Sequence, residues 1–150
     1  MAEALEVQIA DAVKDEINSG SWTQTVNAER HWLPVFEPAD CAELRVTVCP
    51  MTLDQTRVAR AKLQREYGVA IHLIQMVEVA DRDALKAKID ELTRFAEELH
   101  DHFGDAHRLS GLTDWMSFAS ERRDIYDLER LYDQHTWETL IIVTVRGWHP

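Results

Sequence analysis

From Arg45 to Cys49 the chain alternates, with Val46 and Val48 set between Arg45, Thr47 and Cys49, and the same extended character returns from Tyr67 to Val77. Alternation with period two marks a strand buried on one face, and β-branched and aromatic side chains suit a pleated surface. The two runs predict a long hairpin, from about Glu43 to Val79, around which the rest of the chain is organised. Its middle, Met51 to Lys62, contains no glycine, no proline and none of the residue pairs that close a minimal two-residue hairpin. Structureless connections of that length are uncommon in compact domains and usually functional or mobile. Two structured forms are open for it: a short surface helix over Leu53 to Leu63, or a continuation of both strands into solvent.

Elsewhere the apolar period is helical. Leu5, Ile9, Val13 and Ile17 recur at every fourth position, which predicts an amphipathic helix. Asn18, Ser19 and Gly20 stop it, glycine being the residue that most easily takes the left-handed closing conformation. Thr23 to Leu33 reads as a first strand ended by Pro34, and Pro34 to Ala42 as a connector in which Pro38 keeps Glu37 extended. After the hairpin, Asp81 is placed to cap a second helix, with Asp83 adding negative charge in its first turn. Leu85, Ile89, Leu92, Ala96, Leu99 and Phe103 then mark its buried stripe, and Gly104 ends it. Asp105 to Asp114 reads as a polar loop, Trp115 to Ala119 as a short strand, and Asp124 to Asp133 as a short helix on Ile125, Leu128 and Leu131. Thr136 to Arg146 is rich in β-branched residues and predicts a strand buried on at least one face.

Helices and strands are partly segregated in this order, so the expected class is α+β: a mixed, mainly antiparallel sheet with a long projecting hairpin, packed by two main helices. With 150 residues, 45% of them apolar, the chain fits one domain over 1–150. Its 27 acidic against 16 basic side chains give a formal charge of −11, which argues against wrapping duplex DNA or binding an anionic membrane. Passage of DNA through a lumen, without sequence-specific binding, remains compatible with that charge. No apolar window approaches the roughly 18 residues of a membrane span, and Met1 to Ala12 lacks the basic start and apolar block of a secretory leader, so a soluble protein is expected. Cys41 and Cys49 form neither a CxxC pair nor a zinc spacing and are expected as reduced thiols in a cytosolic setting.

Candidate chemistry is sparse. Of seven histidines, the densest group is His100 and His102 with Asp105 and His107. Residues two apart on a helix face different ways, so the expected state of His100 and His102 is solvated at the helix end, where positive charge suits the macrodipole. A metal-dependent hydrolase built on His100, His102 and His107 is the enzymatic alternative. No nucleophile elbow, dinucleotide fingerprint, phosphate-binding glycine loop or HExxH is present. No catalytic residue, metal or cofactor is therefore expected. Two features remain. Arg57, Arg60, Lys62 and Arg65 fall together on the hairpin of an otherwise acidic chain, and Trp148, one of five tryptophans, lies two residues from the end, where a subunit contact would bury it.

The combination Ala28-Glu-Arg30-His-Trp32-Leu-Pro34, then Leu44-Arg-Val46-Thr-Val48-Cys-Pro50, then Tyr67-Gly-Val-Ala-Ile71-His-Leu-Ile-Gln75, followed by the amphipathic helix and the closing strand, resembles small neck proteins of long-tailed bacteriophages. Within these it is most similar to the tail terminators. The resemblance implies a structural virion protein, without enzymatic activity, assembled in the host cytoplasm into a homo-oligomeric ring, six-fold in that family. Such a ring ends tail-tube polymerisation and joins the tail to the head connector; a head–tail adaptor or completion protein of the neck is the neighbouring alternative. The implied partners are further copies of the chain, the tail tube protein and the connector or adaptor. Arg57, Arg60, Lys62, Arg65 and Trp148 would then be interface residues.

Overall fold

The computed structural model describes residues 4–33, 41–59, 62–77, 81–105, 107–109, 112–123 and 135–149, with the backbone alone at 52–59, 62–64, 107–108, 113–114, 118 and 148–149. The elements are α1 (Leu5–Ser19), β1 (Ala28–Arg30), β2 (Arg45–Ala59), β3 (Lys62–Met76), α2 (Arg82–Gly104), β4 (His107–Leu109), β5 (Leu112–Arg123) and β6 (Thr136–His149). The six strands form one sheet in the order β1-β2-β3-β6-β5-β4. Only β1 and β2 run parallel; every other neighbouring pair is antiparallel. The fold is α+β with a mixed, mostly antiparallel curled sheet and two helices, as the segregated sequence pattern predicts.

In α1 the four-residue period becomes a buried stripe of Ile9, Val13 and Ile17. The helix does not close through a left-handed glycine. Gly20 is extended, with φ −78° and ψ 161°, and the Trp22 indole Nε1–H caps the Ile17 carbonyl at 2.7 Å. Glycine serves there by its lack of bulk, because a Cβ at position 20 would stand 2.5 Å from the Trp22 ring.

The expected strand over Thr23 to Leu33 contracts to Ala28–Arg30. Asn18 fixes where it begins: its Nδ2 donates to the Ala28 carbonyl at 3.1 Å, and its Oδ1 accepts from the Ala28 N–H at 2.7 Å. Arg30 then reaches Asp11 of α1 at 2.8 Å. The connector expected around Pro38 and the helix expected over Asp124 to Asp133 lie outside the described residues.

α2 begins where its cap predicts. The Asp81 side chain accepts from the Asp83 N–H at 3.2 Å, and Leu92, Phe95, Ala96, Leu99 and Phe103 are buried. With α1 they cover one face of the sheet, against Val46 and Val48 of β2, Tyr67, Val69, Ile71 and Leu73 of β3, and Ile141, Val143 and Val145 of β6. Each large side chain taken out of water in this layer contributes roughly 1.5–3 kcal/mol before entropy is counted. The sheet curls so that α1, packed on β1, β2 and β3, also meets β4.

Asp105 to Asp114 is not a loop. It contains β4 and the start of β5, and Leu109 is buried in the core. β5 also outruns the expected Trp115 to Ala119. A register shift between Ser117 and Ala119 changes which residues face the helices, from Trp115 and Ser117 before it to Ser120 and Arg122 after it. That extra residue breaks the period-two signal, which is why the strand is shortened when read from sequence.

Candidate functional site

The basic segment stands on the β2–β3 hairpin. The two strands pair from Arg45↔Ile74 to Ala59↔Lys62, leaving only positions 60 and 61 between them. Of the two forms open for Met51 to Lys62, the chain takes continued strands. β6 follows β3 as far as Leu63↔His149, so the far part of the hairpin is a ribbon of three strands. At about 3.3 Å per residue, Leu53 to Ala59 extends about 20 Å.

On the outer side of this ribbon β1 is the only strand among the described residues. β1 reaches only Arg30↔Val48, with one further bond from His31 N–H to the Val48 carbonyl at 3.0 Å. Beyond that point no described strand pairs with β2 on that side. Pro50 is tolerated inside the strand because Val48 directs its polar groups toward β1, so position 50, two residues on, lacks an N–H only toward that side. A register shift between Pro50 and Leu53 then separates the helix-packed part of β2 from the ribbon.

An aromatic lock holds the ribbon's base. Trp115 of β5 lies opposite Gly147 of β6 and meets Tyr67 of β3 edge to face, with ring centres 5.4 Å apart. A Cβ on Gly147 would stand 2.4 Å from the Trp115 indole, so the bare glycine is the floor on which the ring lies. On the other face Arg146 binds Glu66, directly across the β3–β6 pair, with Nη2 at 2.6 Å and Nε at 2.9 Å from one carboxylate oxygen.

The sequence-selected residues distribute along this ribbon. Arg65 is half-buried near the base, between Gln55 and Gly147. Arg57 pairs with Leu63 and Lys62 with Ala59, so alternation assigns positions 57 and 65 to one face and position 62 to the other. Arg60 lies outside the described residues. Position 148 pairs with Gln64, which brings Trp148 into the same ribbon through backbone pairing alone. Sequence reading missed a second aromatic feature. The exposed large apolar residues among those described are Trp32, Leu33 and Met51, at 58%, 70% and 44% exposure. All three lie where β1 ends beside β2.

The histidines are not simply solvated. His100 Nδ1 meets Ser120 Oγ of β5 at 2.9 Å, whereas His102 packs edge to face on Trp22 and Phe103 and lies 3.8 Å from Glu16 of α1. They diverge, as residues two apart on a helix must. Among the described residues no group of three or more His, Cys, Asp or Glu could hold a metal ion. Both cysteines are buried and neither forms a disulfide, and burial pushes the Cys49 thiol up against the smaller opposing effects of the His31 backbone and Arg30. A raised thiol is a poor nucleophile near neutral pH. On the sheet face away from the helices, His72 and Glu138 form a largely buried pair at 2.5 Å, beside the fully buried Thr47. Nothing in the local sequence marks that pair, because its partners are 66 residues apart.

No family model matches the chain, and no curated protein matches it.

Proposed function

We propose that this chain is a structural ring protein at the head-proximal end of a phage tail, a terminator that stops tube growth and receives the head connector. The observation that carries the reading is the β2–β3 ribbon: two 15-residue strands continuing past Tyr67, with Arg57, Lys62 and Arg65 on them in a chain of charge −11. A projecting, rigidly paired, oppositely charged arm suits attachment to a neighbour better than it suits turnover. The sequence resemblance to tail terminators gives the same direction independently of the ribbon's geometry.

The test is electron microscopy of tails made with and without the protein. Tails of uncontrolled length in its absence, and a ring at the head-proximal end in its presence, are expected. Tails of normal length that fail to join heads would instead make it an adaptor, and an unchanged virion would end the structural reading. Arg57→Glu combined with Arg60→Glu is expected to abolish joining or length control; infectious particles at the normal yield would remove the ribbon from the mechanism.

A further inference from the structure

We propose that Thr47, His72 and Glu138 form a register key for the central strands: His72 Nε2–H binds Glu138, the Thr47 hydroxyl serves His72 Nδ1, and the row admits only one pairing of β2 with β3. The key belongs to the fold and stands apart from any assembly.

The apolar pattern leaves this pairing open. Val46 and Val48 of β2 face Leu73 and Ile71 of β3, and Val69, Ile71 and Leu73 repeat the aliphatic type at every second position of the core face. A slip of one residue would turn that face to the far side of the sheet and is excluded by burial. A slip of two conserves it, setting Val46 opposite Ile71 and Val48 opposite Val69 with aliphatic contacts of the same kind. The turn does not settle the matter either. Register shifts between Pro50 and Leu53 and between Arg57 and Ala59 separate the tip from the base, and each can take up a displacement.

The far face discriminates. Thr47 stands directly opposite His72, both are buried, and His72 Nε2 reaches Glu138 Oε1 of the neighbouring strand β6 at 2.5 Å. Among the described residues, Thr47 Oγ1 and His72 Nδ1 are buried polar atoms without a hydrogen-bond partner. Their chemistry is complementary: with the imidazole proton on Nε2 toward Glu138, Nδ1 can only accept, and the hydroxyl can donate. Glu138 thus presets the ring from β6 so that its second nitrogen is offered to β2. Displacement by two residues, in one direction or the other, sets Arg45 or Cys49 opposite His72 and Ala70 or Ile74 opposite Thr47. The first places a guanidinium, which has no acceptor, beside the imidazole; the second offers only a weakly bonding thiol. Each leaves the Thr47 hydroxyl buried against an apolar side chain, and leaving a buried polar group unserved costs more than the bond itself contributes. Fixing register is the best-attested use of buried polar groups in an apolar setting.

Exchanging the two β2 side chains, Thr47→Cys with Cys49→Thr, tests this in the full chain under reducing conditions, because it conserves composition and moves the hydroxyl two positions along the same face. Amide NMR reads the register from the signals of residues 69–74 and from contacts between β2 and β3. The native chain is expected to give one signal per amide and the contacts Val46–Leu73 and Val48–Ile71. The exchanged chain is expected to melt lower and to show a second set of signals whose contacts are displaced by two residues. A single set at the native register, whatever the melting point, overturns the key. Should the exchange prevent folding, an apolar row decides: Thr47→Val, His72→Leu and Glu138→Leu together are expected to melt higher than His72→Leu alone, in which Glu138 loses its imidazole, yet to show more than one register. One native register in that triple variant, or native melting of His72→Leu, overturns the key as well.

Discussion

Arg65 and Tyr67 are two positions apart on β3, face the same way, and belong to different halves of the molecule. Tyr67 is buried under the helices' side of the sheet and locked by Trp115, whereas Arg65 begins the stretch in which only strand pairing continues. The body gains stability by removing apolar surface from water between two layers. Beyond Tyr67 the ribbon continues with backbone pairing on both sides of β3, to β2 and to β6. The same strand therefore serves stability at one end and contact at the other, with the aromatic lock at Gly147 as the boundary.

The sharpest way to break this comparison is to strike each half and read stability and assembly separately. Phe95→Ala, in the fully buried layer of α2, is expected to lower unfolding free energy by about 3–5 kcal/mol in urea titration. A loss below about 1 kcal/mol would mean that α2 is not the main cover of the sheet. Gly147→Ala acts at the boundary. Its methyl meets the Trp115 ring, and overpacking of this kind costs about 1–3 kcal/mol. Adding Trp115→Leu should recover part of that loss in a double-mutant cycle, and strict additivity would show that the two positions do not touch.

Asn18→Ala removes both bonds that hold the start of β1, with an expected cost of about 1–3 kcal/mol and faster hydrogen exchange at Ala28. Unchanged exchange there would place the anchoring of β1 on the Arg30–Asp11 pair instead. Arg57→Ala is the smallest in stability, within about 0.5 kcal/mol, because the position lies beyond the helix-covered core. If it destabilises the isolated chain as much as Asn18→Ala does, the ribbon belongs to the body and the division above is wrong.

Local signals sufficed where a segment's neighbours are its own turns or its own hairpin partner. The periods of α1 and α2, the Asp81 cap, the two halves of the hairpin and the closing strand were all legible, because burial on one face imposes 3.6- or two-residue spacing along the chain itself. Leu109 and β4 were not, since three residues carry no period, and β5 was cut short by the register shift at Ser117. The site was legible in composition: the cations on the hairpin stand out against an acidic chain. Its arrangement was not, because whether Arg57, Lys62 and Arg65 share a face depends on pairing register.

By itself, then, the sequence determined the class of fold, the two helices and the place of the long hairpin. Tertiary structure alone decided that β1 stops at Arg30, that no described strand follows β2 on that side past Val48, and that Trp32, Leu33 and Met51 lie exposed there. It also decided that Gly147 must be bare beneath Trp115 and that His72 finds Glu138. The physical reason is one of range: helix and strand periods are written by local geometry, whereas an edge, a lock or a buried pair exists only once segments far apart in sequence compete for the same neighbour.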